Sequence, residues 1–309
     1  MSADRPSVAV IGAGGVMGLP IARNLARAGF PVRAWNRTAA KLEPLAGEAG
    51  VEAFDEPAAA AAGAGVVVSL LSDAAVTLDA MSFLDRAGDG AAAPAADAIW
   101  IQSATIGIEG TDRCAALAAS AGVGFVDAPL LGTKEPAEAA KLVVLAAGAE
   151  ELAPRLAPLF EAIGRRTIWL ADEAGAASRL KLALNTWILS LAEASAETLA
   201  LAGGLGVDPE QLFDALTGTP LDSPYLRGKG AAMLAGNFEP TLSLTLAAKD
   251  AGLAAAAGRE AGLDLPLVEA ISGRLEEAAR EHGEADVGAT YLLALGESAR
   301  PVASREKGS

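Results

Sequence analysis

One lysine lies in an apolar, helix-forming stretch and could act as an acid or a base. Lys181 is part of the run GAASRLKLALNTWIL at residues 175–189, in which Asn185 follows by four residues and so shares its helix face. An ammonium group partly removed from water at a cleft has a lowered pKa, so it can give a proton to a carbonyl oxygen or take one back. Composition alone also fits a lysine that extends its charge from a helix edge into water.

Other common catalytic groups are scarce in this chain. Cys114 is the single cysteine and His282 the single histidine. One cysteine forms no intrachain disulfide and no cysteine-based metal cage. One histidine argues against a His-ligated zinc and against a Ser-His-Asp triad, unless partners converge on His282. We therefore expect no metal site.

A glycine-rich loop follows the first apolar run. Residues 8–11 predict a buried strand, and the next residues are Gly12, Ala13, Gly14, Gly15, Val16 and Met17. A helical stretch and a second strand follow, which is the context of a dinucleotide-binding fingerprint. Gly12 would permit the tight turn, Gly14 would let the backbone approach a pyrophosphate, and the helix N-terminus would bind its charge. The pattern G-x-G-x-x-G needs its third glycine at position 17, but Gly18 comes one residue later. The loop is therefore either one residue longer or begins at Ala13.

The end of the second predicted strand favours NADP(H). An NAD site would have an Asp or Glu there to hold the ribose 2′-hydroxyl, whereas this chain has Asn36, Arg37 and Thr38. The planar Arg37 side chain can pair with a 2′-phosphate, and Asn36 and Thr38 can add neutral hydrogen bonds. Thr38 could also cap a helix.

The pattern of elements predicts two domains. Apolar runs at residues 7–11, 31–35, 66–71, 98–102, 124–126, 142–146 and 167–170 alternate with Ala-rich helical stretches, as in βαβ units with strands covered on both faces. We predict an α/β fold: a Rossmann-like, doubly wound parallel sheet in residues 1–172, followed by an all-α domain in residues 173–300 and a loose tail in residues 301–309.

The second half is predicted to be entirely helical. A long helix over residues 173–202 would join the domains and end at Gly203, Gly204 and Gly206. Asp208 and Pro209 resemble a helix start, and further helices are predicted at residues 209–217, 223–235, 244–262 and 266–282.

The net charge and composition indicate which classes of binding partner the protein can have. The chain has 309 residues, 52% of them hydrophobic, and a net charge of −15. A negative field repels nucleic acid and anionic lipid, and no apolar run is long enough to span a bilayer. We expect a cytoplasmic protein with a small-molecule substrate. The apolar helical half predicts a homodimer or higher homo-oligomer.

Five motifs occur in one order and together resemble a known family. They are the glycine loop with its Met17-Gly18, Asn-Arg-Thr at 36–38, DAPLLGT at 127–133, Gly-x5-Lys-x3-Asn at 175–185 and Lys249-Asp250. Over residues 7 to about 296 the chain resembles the β-hydroxyacid dehydrogenase (3-hydroxyisobutyrate dehydrogenase-like) family. It is most similar to the NADPH-dependent glyoxylate and succinic semialdehyde reductase branch.

The resemblance implies roles for single residues. Lys181 matches the family's catalytic lysine and Asn185 its substrate-orienting asparagine. Leu71 matches a position that lines the cofactor, Thr105 a threonine near the nicotinamide, and Lys249 a lysine that closes over the cofactor. Each of the last three also has a simpler interpretation: Leu71 as a strand-end core residue, Thr105 as a helix cap and Lys249-Asp250 as a solvated helix face.

Leu131 departs from the family pattern. The family's substrate loop has a serine at this position, and that serine helps to hold the substrate carboxylate. Leucine cannot donate a hydrogen bond, so this task would pass to the backbone of Gly132 and Thr133, to the Thr133 hydroxyl, or be lost. We expect a bulkier, less polar substrate or an altered specificity.

Three functions are compatible with these features. The leading hypothesis is an NADPH-dependent reductase of a small aldehyde or keto acid, which in reverse oxidises a 3-hydroxy acid. The alternatives are an imine reductase and a non-catalytic NADPH-binding protein.

Overall fold

The structure, a computed structural model, describes residues 5–86 and 93–296. The chain divides into two compact units between Leu182 and Ala183. This division lies inside the long helix, later than the boundary predicted at residue 172. The predicted tail, residues 301–309, lies outside the described residues.

The first unit combines strands and helices. Its strands are β1 (Val8–Ile11), β2 (Val32–Trp35), β3 (Val51–Phe54), β4 (Val66–Ser69), β5 (Ile99–Gln102), β6 (Gly124–Asp127), β7 (Leu130–Leu131), β8 (Leu142–Ala146) and β9 (Gly164–Trp169). Its α-helices are α1 (Gly18–Arg27), α2 (Pro57–Ala61), α3 (Ala74–Ala80), α4 (Gly107–Ser120), α5 (Lys134–Glu138) and α6 (Ala153–Ile163). Short 3₁₀ helices span Ala39–Leu45, Ser82–Arg86 and Glu150–Leu152.

The main sheet is parallel and doubly wound. Its strand order is β3-β2-β1-β4-β5-β6. Successive strands are added outward from β1 on one side and from β4 on the other, so the switch point lies between β1 and β4. In open sheets of this kind, ligands bind at the carboxyl ends of the strands beside such a switch point. A second sheet, β7-β8-β9, pairs β7 antiparallel and β9 parallel to β8.

Apolar side chains cover both faces of the main sheet. Alternate residues of β1 enter different clusters: Val8 and Val10 pack with residues of α1 and α6, and Ala9 and Ile11 pack with residues that include Trp100 and Cys114. This confirms the prediction of strands buried on both sides. The strands β3 and β7 were not predicted. The central residues of β3 are exposed, and the two residues of β7 depend on pairing with a distant strand.

The later elements that the structure describes are helical. The long helix α7 spans Ala176–Gly204, and α8 (Glu210–Leu216), α9 (Pro224–Leu234), α10 (Leu244–Glu260), α11 (Pro266–His282), a 3₁₀ turn (Val287–Ala289) and α12 (Thr290–Ala294) follow. The four predicted shorter helices are present with ends within two residues of the prediction. In the part of the chain that the structure describes, no helix is both long and apolar enough to cross a membrane.

The ends of α7 differ from the predicted ends at residues 173 and 202. Gly203 and Gly204 are helical, and the chain leaves the helix at Gly206, whose φ of +77° is easy for glycine. At the other end, Gly175 has a φ of +97°, and its N–H and that of Ser178 donate to the carboxylate of Asp127. A cap supplied from another element cannot be recognised from the local sequence.

Candidate active site

Most of the predicted site residues in the first unit follow neighbouring strand ends. The residues Ile11, Ser69, Gln102 and Asp127 lie in register at the carboxyl ends of β1, β4, β5 and β6. The glycine loop, Leu71, Thr105 and the loop of Leu131 come shortly after these positions. The topology therefore brings these segments to one edge of the sheet.

The glycine loop keeps its first glycine at position 12. Gly12 has a φ of +98°, and a Cβ atom there would overlap the Leu70 carbonyl oxygen. A Cβ at Gly18 would overlap the Gly12 carbonyl oxygen and lie 2.9 Å from the Cα of Ala13. Gly18 thus permits the close helix–strand packing that the third glycine of the fingerprint provides. Of the two alternatives for this loop, the structure supports one that is one residue longer.

The start of α1 suits an anion. Met17, at the N-cap, makes no side-chain capping bond, and the first turn of the helix has no acidic residue. Backbone N–H groups and the dipole at such an end favour a phosphate. Gly14 N donates to Asn36 Oδ1 at 3.2 Å, which ties the loop to the end of β2. These residues fit the pyrophosphate of a dinucleotide.

The three residues after β2 have different environments. Asn36 is half-buried, and its Nδ2 donates to the Thr38 carbonyl oxygen at 3.0 Å, so its amide holds the turn together. Arg37 and Thr38 are exposed, and Thr38 precedes a 3₁₀ helix without a side-chain capping bond. Arg37 is therefore the residue of this turn that can approach a 2′-phosphate as a cation.

Leu71 and Thr105 lie at turns rather than inside the elements that they follow. Leu71 comes after the end of β4, is half-buried, and its Cδ2 would be 3.2 Å from a Cβ at Gly12. It therefore lies beside the first glycine of the loop. The N-cap of α4 is Ile106, so Thr105 lies one residue before the cap.

Two buried polar residues at the sheet edge, Ser69 and Gln102, were not predicted as site residues. Ser69 Oγ accepts a hydrogen bond from Trp100 Nε1 at 2.8 Å. Gln102 binds both the N–H and the carbonyl oxygen of Ala104, at 2.8 and 2.7 Å. These bonds hold the turn that carries Thr105. A signal was present, because Ser69 and Gln102 each end an otherwise apolar strand.

Lys181 lies beside the predicted substrate loop. Its Nζ donates to the Leu130 carbonyl oxygen at 2.8 Å, and its side chain is half-buried. The next residues are Leu131 and Gly132, whose φ is +134°. This bond brings the ammonium group to the loop, where it can deliver a proton to an adjacent oxygen.

The hydroxyl of Thr133 already has an acceptor within its own loop. Its Oγ1 donates to Glu135 Oε2 at 3.1 Å. A hydroxyl has a single hydrogen, so in this arrangement Thr133 can accept from a substrate but not donate to it. The nearby Glu135 carboxylate also adds negative charge to the loop.

In the second unit, Asn185 and Lys249 meet at one buried aspartate. Asn185 Nδ2 donates to Asp250 Oδ2 at 2.9 Å, and Lys249 Nζ lies 2.6 Å from Asp250 Oδ1. Asp250 is only 8% exposed. The interpretation of Lys249-Asp250 as a solvated helix face is therefore wrong for Asp250, which holds both predicted site residues of this unit.

The remaining candidate groups have other surroundings. Burial raises the pKa of the Cys114 thiol to about 12, so it remains protonated at neutral pH. His282, at the end of α11, has its Nε2 3.8 Å from Glu281 Oε2. Among residues 5–86 and 93–296, no cluster of three or more His, Cys, Asp or Glu could hold a metal ion.

Two family models match the chain in succession. One, described as the NAD-binding domain of 6-phosphogluconate dehydrogenase, matches residues 7–171. The other, described as NAD-binding of NADP-dependent 3-hydroxyisobutyrate dehydrogenase, matches residues 175–295. Together they cover both units.

Curated relatives and a solved structure agree with these matches. An uncharacterized oxidoreductase of Bacillus subtilis is 33% identical, covering 87% of this chain and 92% of its own length. Glyoxylate/succinic semialdehyde reductase 1 of Arabidopsis thaliana is 30% identical over 85% of this chain and 90% of its own. The 3-hydroxyisobutyrate dehydrogenase of Mycobacterium tuberculosis, solved with L-serine, has a TM-score of 0.80 and 28% identity, covering 93% of this chain and 98% of its own.

The fold and the comparisons indicate one family. The chain has the doubly wound sheet with its glycine loop and the helical second unit, and its relatives match most of its length. This chain belongs to the β-hydroxyacid dehydrogenase family and is an NAD(P)-dependent dehydrogenase of CH–OH groups.

Proposed function

We propose that the protein is an NADPH-dependent reductase of a small aldehyde or keto acid, with Lys181 as the proton donor. The observation that carries this proposal is the 2.8 Å hydrogen bond from Lys181 Nζ to the Leu130 carbonyl oxygen. It keeps an ammonium group beside the loop in which the family binds substrate. In the reverse direction the lysine would accept the proton of a 3-hydroxy acid.

The chain's own residues would supply a proton and orient the substrate. A bound nicotinamide would supply the hydride to the carbonyl carbon. An ammonium group has three N–H donors, so Lys181 can bind Leu130 and a carbonyl oxygen together. It would transfer one proton to that oxygen as negative charge develops, a contribution of roughly 10²- to 10⁴-fold in rate. Asn185 as substrate ligand, and Leu71, Thr105 and Lys249 as cofactor ligands, stay predictions.

The proposed preference for NADPH rests on the turn after β2. Arg37 is exposed there, and Asn36 rather than a carboxylate follows Trp35 at the strand end. A guanidinium group can bind a 2′-phosphate in a bidentate manner, whereas a carboxylate at this place would repel it.

The loop favours a substrate whose carboxylate lies away from the carbonyl carbon. Leu131 has no donor, and the Thr133 hydroxyl donates to Glu135. The backbone N–H groups of Gly132 and Thr133 then remain as the donors that residues 131–133 offer a carboxylate. In glyoxylate the carboxylate is bonded directly to the aldehyde carbon, whereas in succinic semialdehyde two methylene groups separate them. We propose that succinic semialdehyde or an uncharged aldehyde is preferred over glyoxylate.

Imine reduction is the second candidate, and the apolar Leu131 favours it. An imine carries no carboxylate at the reacting carbon, so the missing donor would cost it nothing. A non-catalytic NADPH-binding protein is the third candidate.

The test measures oxidation of NADPH and of NADH with succinic semialdehyde, glyoxylate and a cyclic imine. Wild type, Lys181→Ala and the exposed-site control Lys141→Ala are compared. We expect NADPH-dependent aldehyde reduction, about a hundredfold or greater loss of kcat in Lys181→Ala, and an unchanged control. Turnover of the imine alone, or full activity of Lys181→Ala, would contradict the proposal, and NADPH binding without any turnover would favour the third candidate.

A further inference from the structure

Asp127 caps the helix that carries Lys181, although it belongs to a different element. It ends β6 and its side chain is fully buried. Its Oδ2 accepts from Gly175 N at 3.0 Å and from Ser178 N at 2.8 Å, and its Oδ1 accepts from Ser178 Oγ at 2.7 Å. The first N–H groups of a helix have no partner within the helix, and here a distant carboxylate supplies one.

The same two segments make a second contact. Lys181 comes three residues after Ser178, and Leu130 three residues after Asp127, and the Lys181 ammonium binds the Leu130 carbonyl oxygen. The backbone of Asp127 is itself fixed, because its N–H and its carbonyl oxygen both form hydrogen bonds with the backbone of Ala147 at 2.9 Å. The first two turns of α7 are thus attached at two points to one short segment.

We infer that Asp127 is a positioning residue: its carboxylate fixes the first turn of α7 to the end of β6 and so sets the place of the Lys181 ammonium group. This inference rests on the proposed role of Lys181 as proton donor. Asp127 itself is fully buried, so its proposed role does not include contact with either reacting molecule.

Two hydroxyl groups extend the attachment to the turn that carries Thr105. Ser178 Oγ gives its hydrogen to Asp127 and lies 2.9 Å from Thr111 Oγ1. The single hydrogen of Thr111 can go to Ser178 Oγ or to the Gly107 carbonyl oxygen, which is also 2.9 Å away. Gly107 begins α4, two residues after Thr105. Asp127 therefore connects the first turn of the lysine helix to a turn predicted to face the nicotinamide.

An asparagine can reproduce this network, and an alanine cannot. In Asp127→Asn the amide oxygen can accept from Gly175 N and Ser178 N, and the amide nitrogen can donate to Ser178 Oγ. That hydroxyl can then donate to Thr111. Burial raises the pKa of the Asp127 carboxyl, although hydrogen bonds from Ser178 and Gly175 oppose this, so an uncharged replacement suits the site. Alanine leaves the two N–H groups without this acceptor in a buried place.

The experiment compares Asp127→Ala, Asp127→Asn, Lys181→Ala and the double variant Asp127→Ala/Lys181→Ala. The kcat with NADPH and succinic semialdehyde is expressed per NADPH-binding site, titrated by fluorescence, so that unfolded protein does not count. We expect kcat of Asp127→Ala to fall about tenfold or more, its Kd for NADPH to stay within about threefold, and Asp127→Asn to restore kcat. The double variant should be no slower than Lys181→Ala.

The outcomes separate this inference from the proposed function. A wild-type kcat in Asp127→Ala, or a full further loss in the double variant, would overturn the positioning role while Lys181 keeps its own. Full activity of Lys181→Ala would overturn both. If Asp127→Ala yields too little folded protein, Asp127→Ser, which keeps one acceptor, replaces it. A smaller fall in kcat in Asp127→Ser, with no further fall when it is combined with Lys181→Ala, supports the inference.

Discussion

At the scale of single residues, the proposed proton donor Lys181 lies beside a loop whose side chains at positions 131 and 133 offer a carboxylate no hydrogen-bond donor. Lys181 is held by Leu130, the Thr133 hydroxyl is turned to Glu135, and Leu131 has no polar atom in its side chain. A loop without side-chain donors at these two positions fits the proposed reduction of an aldehyde better than the recognition of a 2-oxo acid. The substrate preference therefore depends on Leu131.

Leu131→Ser should restore a donor for a carboxylate. A hydrogen bond to a charged group contributes about 1.5–3 kcal/mol, so kcat/KM for glyoxylate should rise roughly ten- to a hundredfold. Leu131→Ala is the matched control, because it removes the same bulk without adding a hydroxyl group. Steady-state kinetics with glyoxylate check this, and an equal gain in both variants would show that size rather than the donor decides.

Arg37→Ala should weaken the binding of NADPH without weakening the binding of NADH. Arg37 is exposed at the end of β2, and its predicted partner, the 2′-phosphate, is absent from NADH. Losing a charge-assisted pair should raise the KM for NADPH roughly tenfold or more. Arg27→Ala, at the end of α1, serves as the control. A parallel rise in the KM for both cofactors would contradict a role in phosphate recognition.

At the scale of elements, a buried aspartate joins several segments of the second unit. Asp286 lies 2.6 Å from Lys229 Nζ of α9 and accepts from Thr241 N at 2.9 Å and from Gly288 N at 2.9 Å. Burial alone would raise the pKa of the Asp286 carboxyl, but the hydrogen bonds from Lys229, Gly288 and Thr241 together lower it. The ionised form is therefore the one that the fold stabilises.

Asp286→Asn should destabilise the protein at neutral pH and by a smaller amount in acid. Removing one member of a buried ion pair costs about 3–5 kcal/mol. Because the pKa of Asp286 is lower in the folded than in the unfolded chain, its contribution is present above the unfolded value of about 4 and is lost as the pH falls below it. Urea unfolding between pH 7 and pH 3 should show the difference from wild type narrowing. The variant Glu276→Gln, at an exposed position of α11 in the same unit, is the control, and a difference independent of pH would contradict the lowered pKa of Asp286.

The sequence predicted elements well wherever their signals were local. The helix predicted at residues 266–282 matches α11 to the residue, and the glycine loop and β1 were found together. What it missed depends on distant partners. The start of α7 depends on Asp127, β7 depends on β8, and the environment of Asn185 depends on Asp250. Such partners are brought together only by the fold, so a local pattern does not contain them.

At the scale of the whole molecule, the second unit exposes large apolar side chains. Trp187, Leu205 and Leu221 are 64%, 72% and 75% exposed. Trp187 also lines a groove of about 320 Å³ together with Leu267 and Val268. A contiguous exposed apolar surface marks association sites in soluble proteins, and we propose that a second copy of this chain covers the groove at Trp187.

Sedimentation equilibrium at micromolar concentration should therefore give at least twice the monomer mass of 30.9 kDa. Homodimers use the same patch on both subunits, so a charge placed in it faces its own copy and also loses the apolar contact. Trp187→Glu should then shift the mass toward the monomer. Ala75→Glu adds the same charge at an exposed position of α3 in the first unit and should leave the mass unchanged. A wild-type protein that sediments as a monomer would contradict the dimer, whereas an unchanged mass in Trp187→Glu would move the interface away from this groove.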